Sequence, residues 1–285
     1  MINRPRYVAA CCLFAAVFPL RLAASGPAAP LPAPLQSAPP PAQAENSAKQ
    51  SGTETPAPGK QAATEQAPTP DQLLARYIRA LGGEAALKKI TSRRMKGKFE
   101  APIQQMIGEA EILTASPDRF YSRVTIPDQG EFISAFDGKV GWSRDSRNGL
   151  REMKGQELEN MRRSSQFQHE LRFREIFPQL RVLEKSLEEG RPAWVLEATP
   201  PGGSPEKFYF DAESWLLVRH DSVQLTPNSE VPIEHRYSDY APVDGVQVPR
   251  LLRHKDPNVE WQVTFTEITQ NVSLDAAQFS MPAAP

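Results

Sequence analysis

From Met95 to Ile268, apolar residues return at every second position in run after run, and turn-forming residues cut each run short. Alternation of this kind puts one side of a segment in a core and the other in water, so it limits the fold more than any other feature. The runs are 95–100, 108–115, 119–126, 131–136, 140–143, 181–187, 194–198, 207–211, 215–221, 233–240, 246–254 and 261–268. Asp137-Gly138 and Asp244-Gly245 are hairpin signals between consecutive runs. Short strands at this spacing predict one antiparallel sheet, strongly curved or nearly closed. By parity Trp194, Leu196, Phe208, Phe210, Leu216, Val218, Trp261, Val263 and Phe265 share the buried side, while Glu197, Lys207 and Thr264 face out.

Two segments keep helical spacing instead. Leu73, Leu74, Tyr77, Ile78 and Leu81 mark an opening helix that Gly82-Gly83 interrupts, with a short helix over 84–90 behind it. A helical block over 155–177 carries Leu158, Met161, Phe167, Leu171, Phe173, Ile176 and Phe177. Both inserts are expected to cover one face of the sheet, which makes the fold class α+β.

Ahead of the domain the composition changes. Arg4 and Arg6 precede an apolar stretch over 8–20, and Ala23, Ala24 and Ser25 follow. That order is an export signal over 1–25, with cleavage expected near Ser25. Cys11 lies early within the apolar stretch instead of following it, so lipidation is not expected. Residues 26–70 hold 11 prolines, 11 alanines and no aromatic residue. Such a stretch cannot bury enough apolar area to offset its conformational entropy and is expected to be a disordered spacer. The folded domain is placed at 71–282.

The charges nearly cancel, 33 Lys and Arg against 34 Asp and Glu, which argues against a nucleic-acid partner. No run reaches the roughly 18 apolar residues of a membrane-spanning helix. Cys11 and Cys12 are the two cysteines, so a cleaved chain would have none, and disulfides, thiolate zinc and cysteine nucleophiles are not expected.

Catalytic motifs are missing as well: there is no Gly-rich phosphate loop, no G-x-S-x-G turn and no H-E-x-x-H. His169-Glu170 is read as a dipeptide on a helix without a second histidine, and Glu188, Glu189, Asp211 and Asp244 as turn carboxylates in solvent. His220, His235 and His254 have inward parity. Folding the chain about its loops sets His220 near Pro232 and His254 near Ile233, so the three imidazoles could gather at one end of the sheet. They are candidates for a zinc site or a pH-sensitive rim, although histidines at strand ends ordinarily just edge a sheet. No catalytic residue, metal or cofactor is expected.

The run Tyr77-Ile78-Arg79-Ala80-Leu81-Gly82-Gly83-Glu84-Ala85-Ala86-Leu87 resembles the opening of LolA-like, outer-membrane lipoprotein-sorting-type domains. Phe136-Asp137-Gly138-Lys139-Val140-Gly141-Trp142 is similar, as are Phe208-Tyr209-Phe210-Asp211 with Leu216-Leu217-Val218-Arg219, and the segment from Asp239 to Pro249. In order, these pieces cover nearly all of the domain. The resemblance implies a half-open antiparallel barrel with helices over its concave side and an apolar cavity for acyl chains. It also implies an exported, periplasmic, non-catalytic carrier of a lipid acyl chain or lipoprotein, with an envelope membrane protein as a further partner. No residue matches the gating arginine of the dedicated carriers, and the Pro-Ala spacer is not part of their pattern. An envelope-sensor or interaction module with a filled core is the alternative. For the cavity, Trp194, Phe208, Phe210, Trp261 and Phe265 are the expected sheet wall, and Met161, Phe167 and Leu171 the lid.

Overall fold

The computed structural model describes residues 66–226 and 229–283. The expected export signal and all but the last residues of the spacer lie outside the described residues.

The first helix, α1 (Pro70–Ala80), starts at a capping box. The Thr69 hydroxyl accepts from the Gln72 N–H at 3.2 Å, and the Gln72 side chain accepts from the Thr69 N–H at 2.9 Å. Pro70 then costs no hydrogen bond, because the first helical N–H has no partner in the helix anyway. Leu73, Leu74 and Tyr77 are its buried stripe. At Gly82 the chain turns with φ +117°, and a Cβ there would stand 2.1 Å from the Gly245 carbonyl oxygen. Only glycine lets the helix end sit this close to the hairpin at Asp244-Gly245. The Gln247 N–H fastens the contact by donating to the Leu81 carbonyl at 2.9 Å. A single turn of helix follows, α2 (Glu84–Leu87).

Six strands come next: β1 (Ser92–Ala101), β2 (Met106–Ala115), β3 (Arg119–Ile126), β4 (Gly130–Phe136), β5 (Gly141–Asp145) and β6 (Gly149–Glu152). Helices α3 (Gln156–Ser164) and α4 (Phe173–Ile176) interrupt. Then β7 (Gln179–Val182), β8 (Ser186–Glu188), β9 (Arg191–Thr199) and β10 (Glu206–Asp211) lead into β11 (Leu217–Thr226), β12 (Ser229–Val243), β13 (Val246–Lys255) and β14 (Glu260–Gln270). All belong to one antiparallel sheet in the order β6-β5-β4-β3-β2-β1-β14-β13-β12-β11-β10-β9-β7, with β8 on β9. Neighbours in sequence are mostly neighbours in the sheet, and the β1–β14 pairing joins its two halves.

The end strands β6 and β7 do not pair, so the sheet is curved but not closed. Two register shifts add to its coiling, one between Lys96 and Gly97 and one between Tyr209 and Phe210. At Gly97 a Cβ would lie 2.1 Å from the Thr264 carbonyl oxygen, so the strands close up there only around glycine.

The second shift corrects the expected facing of β11. Phe210 pairs with Leu217 and Tyr209 with Arg219, so Val218 is the bulged residue. Leu217 therefore takes the core position, and Val218 packs on the opposite face with Ala193, Val195 and Tyr209. Leu216 precedes the strand and is half-buried.

The block expected over 155–177 is two short helices joined by turns, since Gln168 stands at φ +56° where no helix continues. The run expected over 181–187 splits into β7 and β8. Strand β6 was not expected: its four residues carry one large apolar side chain, Leu150, too few to show alternation.

One main apolar cluster fills the concave side, where α1, α3 and α4 meet the sheet. On the convex side the C-terminal segment folds back: Phe279 is fully buried beside Leu113, and its carbonyl accepts from the Trp142 indole N–H at 2.8 Å.

Candidate functional site

The concave face holds a file of rings that crosses five neighbouring strands. Phe208 is paired in register with His220, His220 with His235, His235 with His254, and His254 with Trp261. Side chains directly opposite across antiparallel strands sit close enough to touch, so the rings stack from strand to strand. Phe208 lies on His220 at 4.2 Å between centroids and 16° between planes, and His254 on Trp261 at 4.7 Å and 8°. His220 and His235 are 6.3 Å apart at 17°, while His235 and His254 are 4.9 Å apart and tilted by 55°. Phe173 and Phe177 from the helical cover meet the edge or face of Phe208, and Phe99 continues the row beyond Trp261.

The histidines thus do gather, but the expected pairing and place are corrected. His220 opposes His235, not Pro232, and His254 opposes His235, not Ile233. Nor do they edge the sheet. Their exposures are 0, 0 and 6%, well inside its width.

Polar bonds to this file form two separate sets. Arg163 of α3 donates to Glu206 at 2.9 Å, and the other Glu206 oxygen lies 2.8 Å from Nε2 of His220. Nδ1 of His254 lies 3.0 Å from Nε2 of His235, and Nε2 of His254 lies 3.4 Å from Asp256. Nδ1 of His220 and Nδ1 of His235 are buried without a hydrogen-bond partner. Burial drives the His235 pKa well below its ordinary range, with His254 and His220 adding to the effect, so this imidazole is neutral in the folded state. Among the described residues no group of three or more His, Cys, Asp or Glu is arranged to hold a metal.

The eight residues expected around a cavity all join the main apolar cluster. Trp194, Phe208, Phe210, Trp261, Phe265 and Met161 are buried; Phe167 and Leu171 are half-buried on its rim. Beside Phe167 a cleft of about 60 Å³ opens between the cover and the sheet. Leu87, Ile90, Phe120 and Phe167 give it apolar walls, while Arg93, Thr114, Ser164, Ser165 and the run from Gln166 to Glu170 supply polar groups. Of the eight, Phe167 alone lines it.

Sequence reasoning passed over Arg93 and Phe120, and set His169 aside as a dipeptide with Glu170. Arg93 could have been noticed, because it shares the inward parity of Met95 and Phe99 and is a charge where the pattern demands an apolar residue. His169 and Glu170 stand on turns rather than on a helix, 3.3 Å apart, and burial lowers the His169 pKa against the pull of Glu170.

The cover is fastened by polar contacts. The Phe167 N–H donates to the Pro117 carbonyl at 3.0 Å. The Gln168 amide donates to the carbonyls of Leu87 and Ile90, Arg172 pairs with Asp118, and Arg174 with Asp71.

Two carboxylates read as solvated are buried instead: Glu188 is held between Arg219 and Arg236 at 3.3 and 3.1 Å, and Asp211 accepts from the Ser214 N–H at 2.7 Å.

No family model matches this chain, and no curated protein does. Among solved structures it is similar to a DUF1329 family protein from Desulfovibrio piger, at 11% identity and a TM-score of 0.51 over 74% of this chain and 96% of that one. It is also similar to a LolA superfamily protein from Nitrosomonas europaea, at 12% identity and a TM-score of 0.49 over 75% of this chain and 98% of that one. At this level of identity the likeness is one of fold.

Proposed function

We propose that this chain is a non-catalytic, exported domain that holds an acyl chain, alone or as the lipid of a lipoprotein, between its helical cover and the concave face of the sheet. The observation that carries the reading is the way the cover is attached. Its apolar side joins the main cluster, yet its fastenings are polar bonds at the rim, and the cleft at Phe167 already parts it from the sheet. Polar clasps exchange with water at small net cost, whereas an apolar interior opened to water loses roughly 25 cal/mol per Å². An acyl chain entering at the cleft would keep that interior dry while the cover moved out. The eight aromatic and aliphatic residues from Met161 to Phe265 named above are the surfaces it would touch. Export rests on the 1–25 signal, and a membrane protein of the envelope is the partner that would load or unload such a domain.

A second reading has its own support. Phe208, Phe210, Trp261 and Phe265 are at most 2% exposed and already pack against the helices. An interior filled this way suits an interaction or sensor module that carries nothing. Mass spectrometry of solvent extracts from the freshly purified protein separates the two. The carrier reading expects an acyl lipid near one per chain; the filled-core reading expects none.

A further inference from the structure

A polar pole of the main apolar cluster lies at the cleft. Arg93 of β1 is paired in register with Gln270 of β14 on one side and with Thr114 of β2 on the other. Arg93 and Thr114 line the cleft. Nε of Arg93 is shielded from solvent with no hydrogen-bond partner, and so are both the nitrogen and the oxygen of the Gln270 amide. Orphaned donors in such a place are costly, and a guanidinium stays charged in proteins. Burial lowers the Arg93 pKa, with Glu170 and Tyr77 acting in the opposite direction. Thus a cation with a free donor lines a cleft of about 60 Å³, room for a handful of waters or one small polar group, and an amide with free donors stands across the strand pair from that cation, outside the lining itself.

We propose that Arg93 and Gln270 are the seat of the carboxylate of a single-chain fatty acid, whose tail leads inward from the cleft past Phe120 and Phe167. This rests on the acyl-carrier reading and adds the head group. A carboxylate offers two acceptor oxygens that a guanidinium and a neighbouring amide can both reach, and its single charge matches that of the guanidinium. A phosphate would bring up to two charges to a single arginine, with Glu170 also lining the cleft. Glu170 and His169 stand on the cover, so a ligand carboxylate arriving at Arg93 would repel Glu170 and favour an outward shift of that segment.

The test uses the full chain stripped of lipid and titrated with dodecanoic acid, its methyl ester and dodecyl phosphate. Variants Arg93→Met, Arg93→Lys and Gln270→Leu are compared, each checked by thermal midpoint. The acid is expected to bind about tenfold to a hundredfold tighter than the ester, the worth of a charge-assisted hydrogen bond in a dry site. Arg93→Met should bring the acid down to the ester and leave the ester unchanged, Arg93→Lys should restore part of the difference, and Gln270→Leu should reduce it. Equal binding of acid and ester overturns the carboxylate seat and leaves the carrier reading standing. So does a phosphate that binds more tightly than the acid, or an Arg93→Met that weakens acid and ester alike. If Arg93→Met does not fold, Gln270→Leu decides by the same ratio. No saturable binding of any of the three overturns both.

Discussion

A charge placed at Phe167 and a charge placed at Phe210 should have different fates, because the two rings differ in access to water. Phe210 is 0% exposed in the main cluster, edge-on to Tyr77 at 4.9 Å between centroids. A carboxylate there has no partner, so Phe210→Glu should cost several kcal/mol and unfold the domain. Phe167 is half-buried at the cleft, where a carboxylate can turn toward solvent. Phe167→Glu should stay folded and lose acyl-probe binding, by about tenfold or more if the cleft is the entrance. Thermal melts and probe titrations of both variants check this, and unfolding of both would favour the filled core.

The histidines give a second residue-scale prediction. His235 and His169 both have folded-state pKa values lowered by burial, whereas the unfolded chain takes up those protons near pH 6.5. Their stabilisation is therefore complete above about pH 6.5 and is lost as the pH falls below it, by up to about 1.4 kcal/mol per pH unit for each. The thermal midpoint should drop between about pH 7 and pH 5, less steeply in His235→Gln; a midpoint that holds or rises would contradict it. Parity alone told which way these side chains point. It could not tell which residue stands across the strand, because alternation leaves register open in steps of two. The stacked file became visible only with the strands aligned, whereas Arg93 among apolar neighbours was already legible from parity.

Among the elements, the segment from α3 to α4 is the one expected to move. Gln168 clasps it to the carbonyls of Leu87 and Ile90 at the end of α2. Gln168→Ala removes two hydrogen bonds, about 1–3 kcal/mol between them, and leaves two carbonyls to find water. Amide exchange in 156–177 should speed up about tenfold or more while the strands keep their protection, and probe should enter faster. Exchange that accelerates evenly over the sheet would mean that the cover does not open as a unit. The elements differed in how plainly the sequence carried them. Strand β3 and the Asp244-Gly245 hairpin were legible because alternation and turn chemistry agree there. The cover was not, since its apolar residues keep helical spacing across turns, and Phe173 and Phe177 pack on Phe208 whether or not a helix joins them.

For the whole molecule, a single curved antiparallel sheet with helices on one side followed from the count and spacing of the runs. The β1–β14 pairing and the C-terminal strap over Trp142 did not, since long-range pairing and a short irregular segment leave no period in the sequence. What the chain does turns on whether its interior can be exchanged for an acyl tail. Saturation binding of a fluorescent fatty acid, labelled at the tail, to the lipid-stripped protein measures that directly. Saturable uptake at one probe per chain, displaced by unlabelled fatty acid, is the result expected of a carrier. A folded protein that takes up no probe at any concentration would contradict it and leave a filled core.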